Sequence, residues 1–167
     1  GRGTGVQTAQ SSGAGVGVEF VNLVVHDTSQ GLSFWKDAVD SEIYGCLIYY
    51  NGWDAPDRGH GHGIYTQNDT GRKTLRDNVI FDQFSYGIHA YGSDNAFLKN
   101  FTIEGNVSFD NGVLAQLDPG FTSSILVGGE SGPNGNSILS GIVVTQNATY
   151  SSSDGTDLVG GNNVGYS

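Results

Sequence analysis

Five ten-residue segments of this chain repeat one another, and an internal repeat at this period narrows the fold more than any other feature. They are EFVNLVVHDT (19–28), IYGCLIYYNG (43–52), LRDNVIFDQF (75–84), LKNFTIEGNV (98–107) and LSGIVVTQNA (139–148), spaced by 24, 32, 23 and 41 residues. Their first column is Ile43, Leu75, Leu98 and Leu139, with Glu19 as the exception, and a mixed column follows at Asn22, Cys46, Asn78, Phe101 and Ile142. A β-branched column comes next at Val24, Ile48, Ile80, Ile103 and Val144, and a polar one three places later at Asp27, Asn51, Gln83, Asn106 and Asn147. A short strand ending in an amide or carboxylate suits stacked turns, because such side chains hydrogen-bond along the stack and to turn backbone.

A second strand accompanies each copy: GVQTA (5–9), GLSFW (31–35), GIYTQ (63–67) and GIHAY (87–91), continued by ILVGG (125–129) and DLVGG (157–161). Its inward column is expected at Val6, Leu32, Ile64, Ile88, Leu126 and Leu158. Short strands, a coil of roughly 22 to 25 residues and a polar turn ladder describe a parallel β-solenoid whose coils lie ~4.8 Å apart. The two long spacings carry insertions near 52–62 and 107–124, which become loops at a corner of an otherwise single domain, 1–167.

The run NVIFDQFSYGI, a strand, a polar turn residue and a following GI strand, resembles the right-handed parallel β-helix proteins of the pectin-lyase-like group. The resemblance covers nearly the whole chain and implies an all-β, right-handed parallel β-helix of about five coils. The group includes polysaccharide lyases, glycoside hydrolases, epimerases, phage tailspikes and adhesins, so the fold alone does not name an activity. The chain opens within a coil and shows no cap at either end, which fits a slice of a longer protein or ends that stack on other copies.

Strand alternation places side chains on the outer faces. With Leu32, Ile64 and Ile88 inward, Ser33, Tyr65 and His89 point out, and so do Trp35, Gln67 and Tyr91. Aromatic rings beside amide and imidazole groups on a long groove suit a sugar polymer, with Trp35, Tyr65, Gln67 and Tyr91 lining subsites. The competing explanation is that such rings stabilise the surface by stacking on one another. In the first strand family the outward positions Leu23, Leu47, Val79 and Val143, with Val25, Tyr49 and Phe81 beside them, are apolar too. That pattern implies a covered face. The cover is expected to be the 107–124 insertion, another domain or a second copy meeting Leu23, Leu47, Val79 and Phe81.

The stretch DRGHGHG lies in the 52–62 insertion, at the edge of the aromatic face, and long loops on a rigid scaffold are where sites are built. Three readings stand. In the first, His60, His62, His89 and Arg58 carry acid–base or electrostatic chemistry on a polysaccharide, with Asp54 and Asp57 as the carboxylates that hydrolysis uses; Arg58 is a base or holds a uronate carboxylate. In the second, His-x-His with His89 or a carboxylate holds a metal such as zinc. In the third, the loop is structural and its glycines permit unusual backbone angles. GHG is similar to a motif of polygalacturonase-type hydrolases, but that family's paired aspartates and RIK-type motif are missing here. Calcium-dependent lyases of this fold use carboxylate clusters with a Lys or Arg base, so calcium stays open as a cofactor.

Charge excludes some partners. Seven Lys and Arg against seventeen Asp and Glu leave a net charge of -10, which argues against nucleic acid and anionic membranes. An anionic polysaccharide would need a bridging cation or a local basic patch. No run of 18 apolar residues is present, so no membrane-spanning helix is expected. The lone Cys46 reads as a buried thiol. The triplets at Asn68, Asn100, Asn106 and Asn147 match the N-glycosylation pattern but carry little weight in so polar a chain, and Lys73 and Arg76 read as solvated. The resulting expectation is an extracellular or cell-surface module that binds, and in one version cleaves, a polysaccharide. Its rival is a structural solenoid of an adhesin, fibre or filament.

Overall fold

The computed structural model describes residues 1–8, 15–92, 97–116, 123–129, 139–150, 158–160 and 164–166. Among them there is no helix. Each coil contributes one short strand to each of three parallel sheets. The first sheet stacks Thr4–Gln7, Gln30–Phe34, Ile64–Thr66, Ile88–Gly92, Ile125–Gly129 and Leu158–Gly160. The second stacks Glu19–Val21, Ser41–Tyr44, Lys73–Arg76, Phe101–Glu104, Ile142–Thr145 and Val164–Tyr166. The third stacks Val24–His26, Leu47–Tyr49, Val79–Phe81, Val107–Phe109 and Ala148–Tyr150.

Inward residues form columns down the solenoid. In the first sheet Leu32, Ile64, Ile88 and Ile125 are in register and fully buried. Ile125, not Leu126, therefore holds the inward place, and Leu126 is paired with outward His89. The side chain of Leu158 and residues 117–122 of the second insertion lie outside the described residues. In the second sheet the inward column is Phe20, Ile43, Leu75, Ile103 and Val144. Glu19 is thus not an exception in this column but its outward neighbour, and Leu98 pairs with Leu139 in a separate two-stranded sheet. In the third sheet Val25, Ile48 and Ile80 are buried in one column.

Two corners share one construction. A residue in the left-handed region is followed by a side chain that bonds the neighbouring coil. At the corner from second to third sheet the left-handed residues are Asn22, Gly45, Asp77, Gly105 and Gln146, with φ between 54° and 65°. Leu23 follows the first of them, and Cys46, Asn78, Asn106 and Asn147 follow the other four. The side-chain oxygen of Asn78 accepts the Cys46 N–H (2.9 Å), that of Asn106 the Asn78 N–H (3.1 Å), and that of Asn147 the Asn106 N–H (2.9 Å). At the corner from third to first sheet Asp27, Tyr50, Asp82 and Asp110 are left-handed. Thr28, Asn51, Gln83 and Asn111 make the second ladder, through bonds of 3.2, 3.1 and 3.3 Å. Asp27 is therefore not a ladder member. It is exposed at the turn, bonded to the His26 ring (2.7 Å) and paired with Arg2 (3.3 Å).

The outer face of the third sheet differs from expectation. Leu47, Val79 and Phe81 do point out, but Val25 is buried and Leu23 sits at a corner, half-buried against the core. Val143 belongs to the second sheet, whose outer face carries Glu42, Thr74 and Thr102. The described part of the 107–124 insertion, 107–116 and 123–124, does not lie over the third sheet. Val107–Phe109 is one of its strands, and the Gln116 N–H donates to Asp54 (3.3 Å) in the 52–62 loop. His26, Tyr49, Phe81 and Phe109 form a ladder of rings 4.8 to 5.2 Å apart and within 8° of parallel, while Val24, Val79 and Val107 lie open beside it.

Candidate functional site

The site grows from the strands Ile64–Thr66 and Ile88–Gly92 and from the loop before the first of them. Alternation sends Tyr65, Gln67, His89 and Tyr91 outward, each half-buried. The loop folds back as an antiparallel ribbon, Trp53–Asp54 against Gly59–His60, so His60 and His62 diverge. His60 stacks on Trp53 (5.1 Å, 11°) and bonds Asp57 (3.0 Å). That bond holds the exposed Asp57 carboxyl below its usual range. His62 turns to the groove. Its Nε2 lies 3.0 Å from Nδ1 of His89, and its Nδ1 lies 3.3 Å from the Tyr86 N–H. Gln30 clamps the His62 backbone through its amide, donating to the carbonyl (3.2 Å) and accepting from the N–H (3.4 Å).

These contacts determine the tautomers. A backbone N–H can only donate, so His62 Nδ1 accepts and the ring's one proton sits on Nε2. That proton is donated to His89 Nδ1, which leaves the His89 proton on Nε2. The chain runs from Tyr86 N–H through both rings and ends in a single outward donor. Burial pushes both histidines down, to about 4 for His89 and well below the ordinary value for His62. His89 also disfavours charge on His62, and Arg58 nearby pushes both rings in the same direction.

Rings enclose the pair. His89 stacks on Tyr86 (4.4 Å, 16°) and Tyr65 (5.2 Å, 18°), with Tyr91 tilted against it (5.1 Å). Trp35 meets Tyr65 edge to face (5.4 Å, 75°). Burial raises the Tyr65 phenol, and a hydrogen bond with the Gln67 side chain opposes the rise. The structure therefore brings His62, His89, Tyr65, Gln67, Tyr91 and Trp35 together. Asp54 and Asp57 are turned to Gln116 and His60, and Arg58 is exposed, 4.0 Å from Asp57. Among the described residues no group of three or more His, Cys, Asp or Glu side chains is placed to hold a metal ion. His62 Nε2, bearing its proton, offers no lone pair to one.

Sequence reasoning missed Tyr86, although a signal existed. The residue before the repeated strand-opening glycine is Gln30, then His62, then Tyr86, and these three share one position in successive coils. It also misplaced Lys73, which is fully buried, while Arg76 is partly covered by its ion pair with Glu42 and stacks over Tyr44.

A family model described as a right handed beta helix region matches residues 1–165. The chain belongs to that family. The parallel three-sheet solenoid described above is its right-handed β-helix. No curated protein and no solved structure matches the chain.

The histidine pair has a consequence for stability in acid. Between pH 6.5 and about 4 the unfolded chain binds more protons than the folded one, because folding lowers the histidine pKa. Stability thus rises with pH across that window and is lost on acidification, by about 3 kcal/mol from His89 alone. Denaturant unfolding at a series of pH values should show this loss, and His62→Leu/His89→Phe should flatten it. Equal slopes in the two proteins would mean that carboxylates elsewhere account for acid sensitivity.

Proposed function

We propose that this β-helix is an extracellular module that binds a polysaccharide along the outer face of its first sheet, and that the His62–His89 pair serves binding rather than cleavage. One observation carries the reading. Both imidazole lone pairs are engaged, His62 Nδ1 by Tyr86 N–H and His89 Nδ1 by His62. The pair has no free base for a substrate proton, and neither Asp54 nor Asp57 contacts it. What it offers is an oriented donor, His89 Nε2–H, among Tyr65, Tyr91, Gln67 and Trp35. A fixed donor beside ring edges and an amide recognises sugar hydroxyls.

The test is retention in gels containing neutral or acidic polysaccharides, with and without calcium, alongside assays for reducing ends and unsaturated uronides. Retention without product is expected, weakened at least ~10-fold in Tyr65→Ala and in His89→Phe, since loss of one good contact of about 1.4 kcal/mol is tenfold in affinity. Retention unchanged in both folded variants removes the groove assignment, and product formation lost in His62→Leu replaces binding with catalysis.

A second reading rests on the third sheet. Its open valine column and ring ladder form an apolar surface of the kind that meets a partner, which favours a structural solenoid that associates with itself through this face or its ends. That reading leaves the polysaccharide panel silent.

A further inference from the structure

Lys73 is the one cation in the described interior. Alternation from Leu75 puts it in the inward column between Ser41 and Phe101, and it is fully buried. No carboxylate touches it among the described residues. Its ammonium donates to three backbone carbonyls: Trp35 (2.5 Å), Gln67 (2.5 Å) and Phe34 (3.4 Å). It also lies 5.4 Å from the centre of the Phe34 ring. Phe34 ends one strand of the first sheet and Trp35 follows it, while Gln67 directly follows the end of the next strand.

We propose that Lys73 is a positioning residue of the groove, a buried ammonium whose proton holds together the ends of the two strands that carry Trp35, Tyr65 and Gln67. An ammonium has three donors and no acceptor, and it meets three carbonyl oxygens. A neutral amine has two donors and a lone pair, and a lone pair cannot face a carbonyl. Loss of the proton therefore opens one of the three contacts. Phe34 O and Trp35 O have other donors, the N–H groups of Gln67 (3.0 Å) and Ala38 (3.1 Å), so these two can release Lys73 without being orphaned. The indole of Trp35 then shifts against Tyr65, at the end of the groove away from the histidines.

Burial supplies the sensitivity, lowering the Lys73 ammonium to about 7, with Asp37 opposing. The other charged groups on the packed segments are committed elsewhere or exert no resolved pull. Asp40 accepts the Arg72 N–H (3.0 Å), Arg72 donates to Thr102 (3.0 Å), and Asp69 pairs with Lys99 (2.9 Å). Lys36 adjoins Asp37 in sequence and has no part in the shift.

The chain has three lysines, Lys36, Lys73 and Lys99, so protein labelled with 13C-lysine gives three Cε resonances. One of them, that of Lys73, is expected to titrate near 7. In Trp53→Phe protein Trp35 is the only tryptophan, and its emission is expected to step at the same midpoint. The step should vanish in Trp53→Phe/Lys73→Met. Absence of any lysine resonance titrating near 7 overturns the proposal, as does a flat Trp35 emission or a step that survives in Lys73→Met. Should Lys73→Met fail to fold, the wild-type resonances and the Trp35 emission of Trp53→Phe still decide. No glycan enters the experiment, so its failure is separate from failure of the polysaccharide reading on which the word groove rests.

Discussion

Asn106→Leu is expected to lower the unfolding free energy by about 3 to 5 kcal/mol, several buried hydrogen-bonding groups being orphaned at about 1 to 3 kcal/mol each. Asn106 is fully buried. Its Oδ1 accepts from both the backbone and the side chain of Asn78 (3.1 and 2.8 Å), and its Nδ2 reaches the carbonyls of Leu75 (2.9 Å) and Glu104 (3.1 Å). Leucine fills the volume but leaves the Asn78 N–H and the Leu75 carbonyl without that partner, in a place from which water is excluded. Asn147→Leu provides the comparison. Asn147 makes the same kinds of bond, to Ile103 and Thr145 at 2.9 Å, but is only half-buried, so its loss should cost less. Equilibrium denaturation of the three proteins measures both. A change below about 1 kcal/mol at Asn106 would mean that the coils are held by their apolar columns and that the amides merely accompany them.

The same ladder explains how far the sequence could be followed. The solenoid, the inward residues Leu32, Ile64 and Ile88, and the outward residues Tyr65, His89 and Tyr91 followed from period-two alternation and the repeated glycine. Register was harder. The two corners are built alike, a left-handed residue and then a bonding side chain, and their ladders run five residues apart: Cys46 and Asn51, Asn78 and Gln83, Asn106 and Asn111. A slip of five carries one ladder onto the other and one inward column onto another. Aligning Leu98 with Leu75 makes that slip, whereas the solenoid pairs Leu75 with Ile103. In the first copy the slip is of one residue, at Glu19, because one apolar strand of three residues holds little register information. Leu126 was misplaced for a related reason: Ser124 stands where earlier coils have glycine, and the anchor is missing. For Lys73 alternation and polarity disagreed, and alternation prevailed. The contact between His62 and His89 was legible as proximity, but its tautomers depend on Tyr86 N–H, a backbone group with no signature in sequence.

Gly61→Ala should cost about 3 kcal/mol and dismantle the histidine pair, because alanine in the left-handed region loses about 1 to 2 kcal/mol and overpacking adds about 1 to 3. The question posed by DRGHGHG is largely one of space. At Gly61, φ is 89°, and a methyl group would overlap the Ser29 carbonyl oxygen and the Gly52 Cα. At Gly59 it would strike the Phe84 carbonyl and Ala115, and at Gly63 it would stand 2.7 Å from the Gly87 oxygen and 2.8 Å from the Ile80 side chain. All three glycines are therefore needed for the ribbon to press against the coils on either side. That pressure turns His60 outward onto Trp53 and His62 inward onto His89. Displacing Gly61 moves His62 first, since Gln30 grips its backbone from the preceding coil. The variant should thus show a lowered denaturation midpoint and, in imidazole 15N spectra, a His89 pKa returning from about 4 toward 6.5. A destabilised protein whose His89 still titrates near 4 would separate the two effects and show that the pair is held by Tyr86 and the first sheet, with the loop only adjoining it.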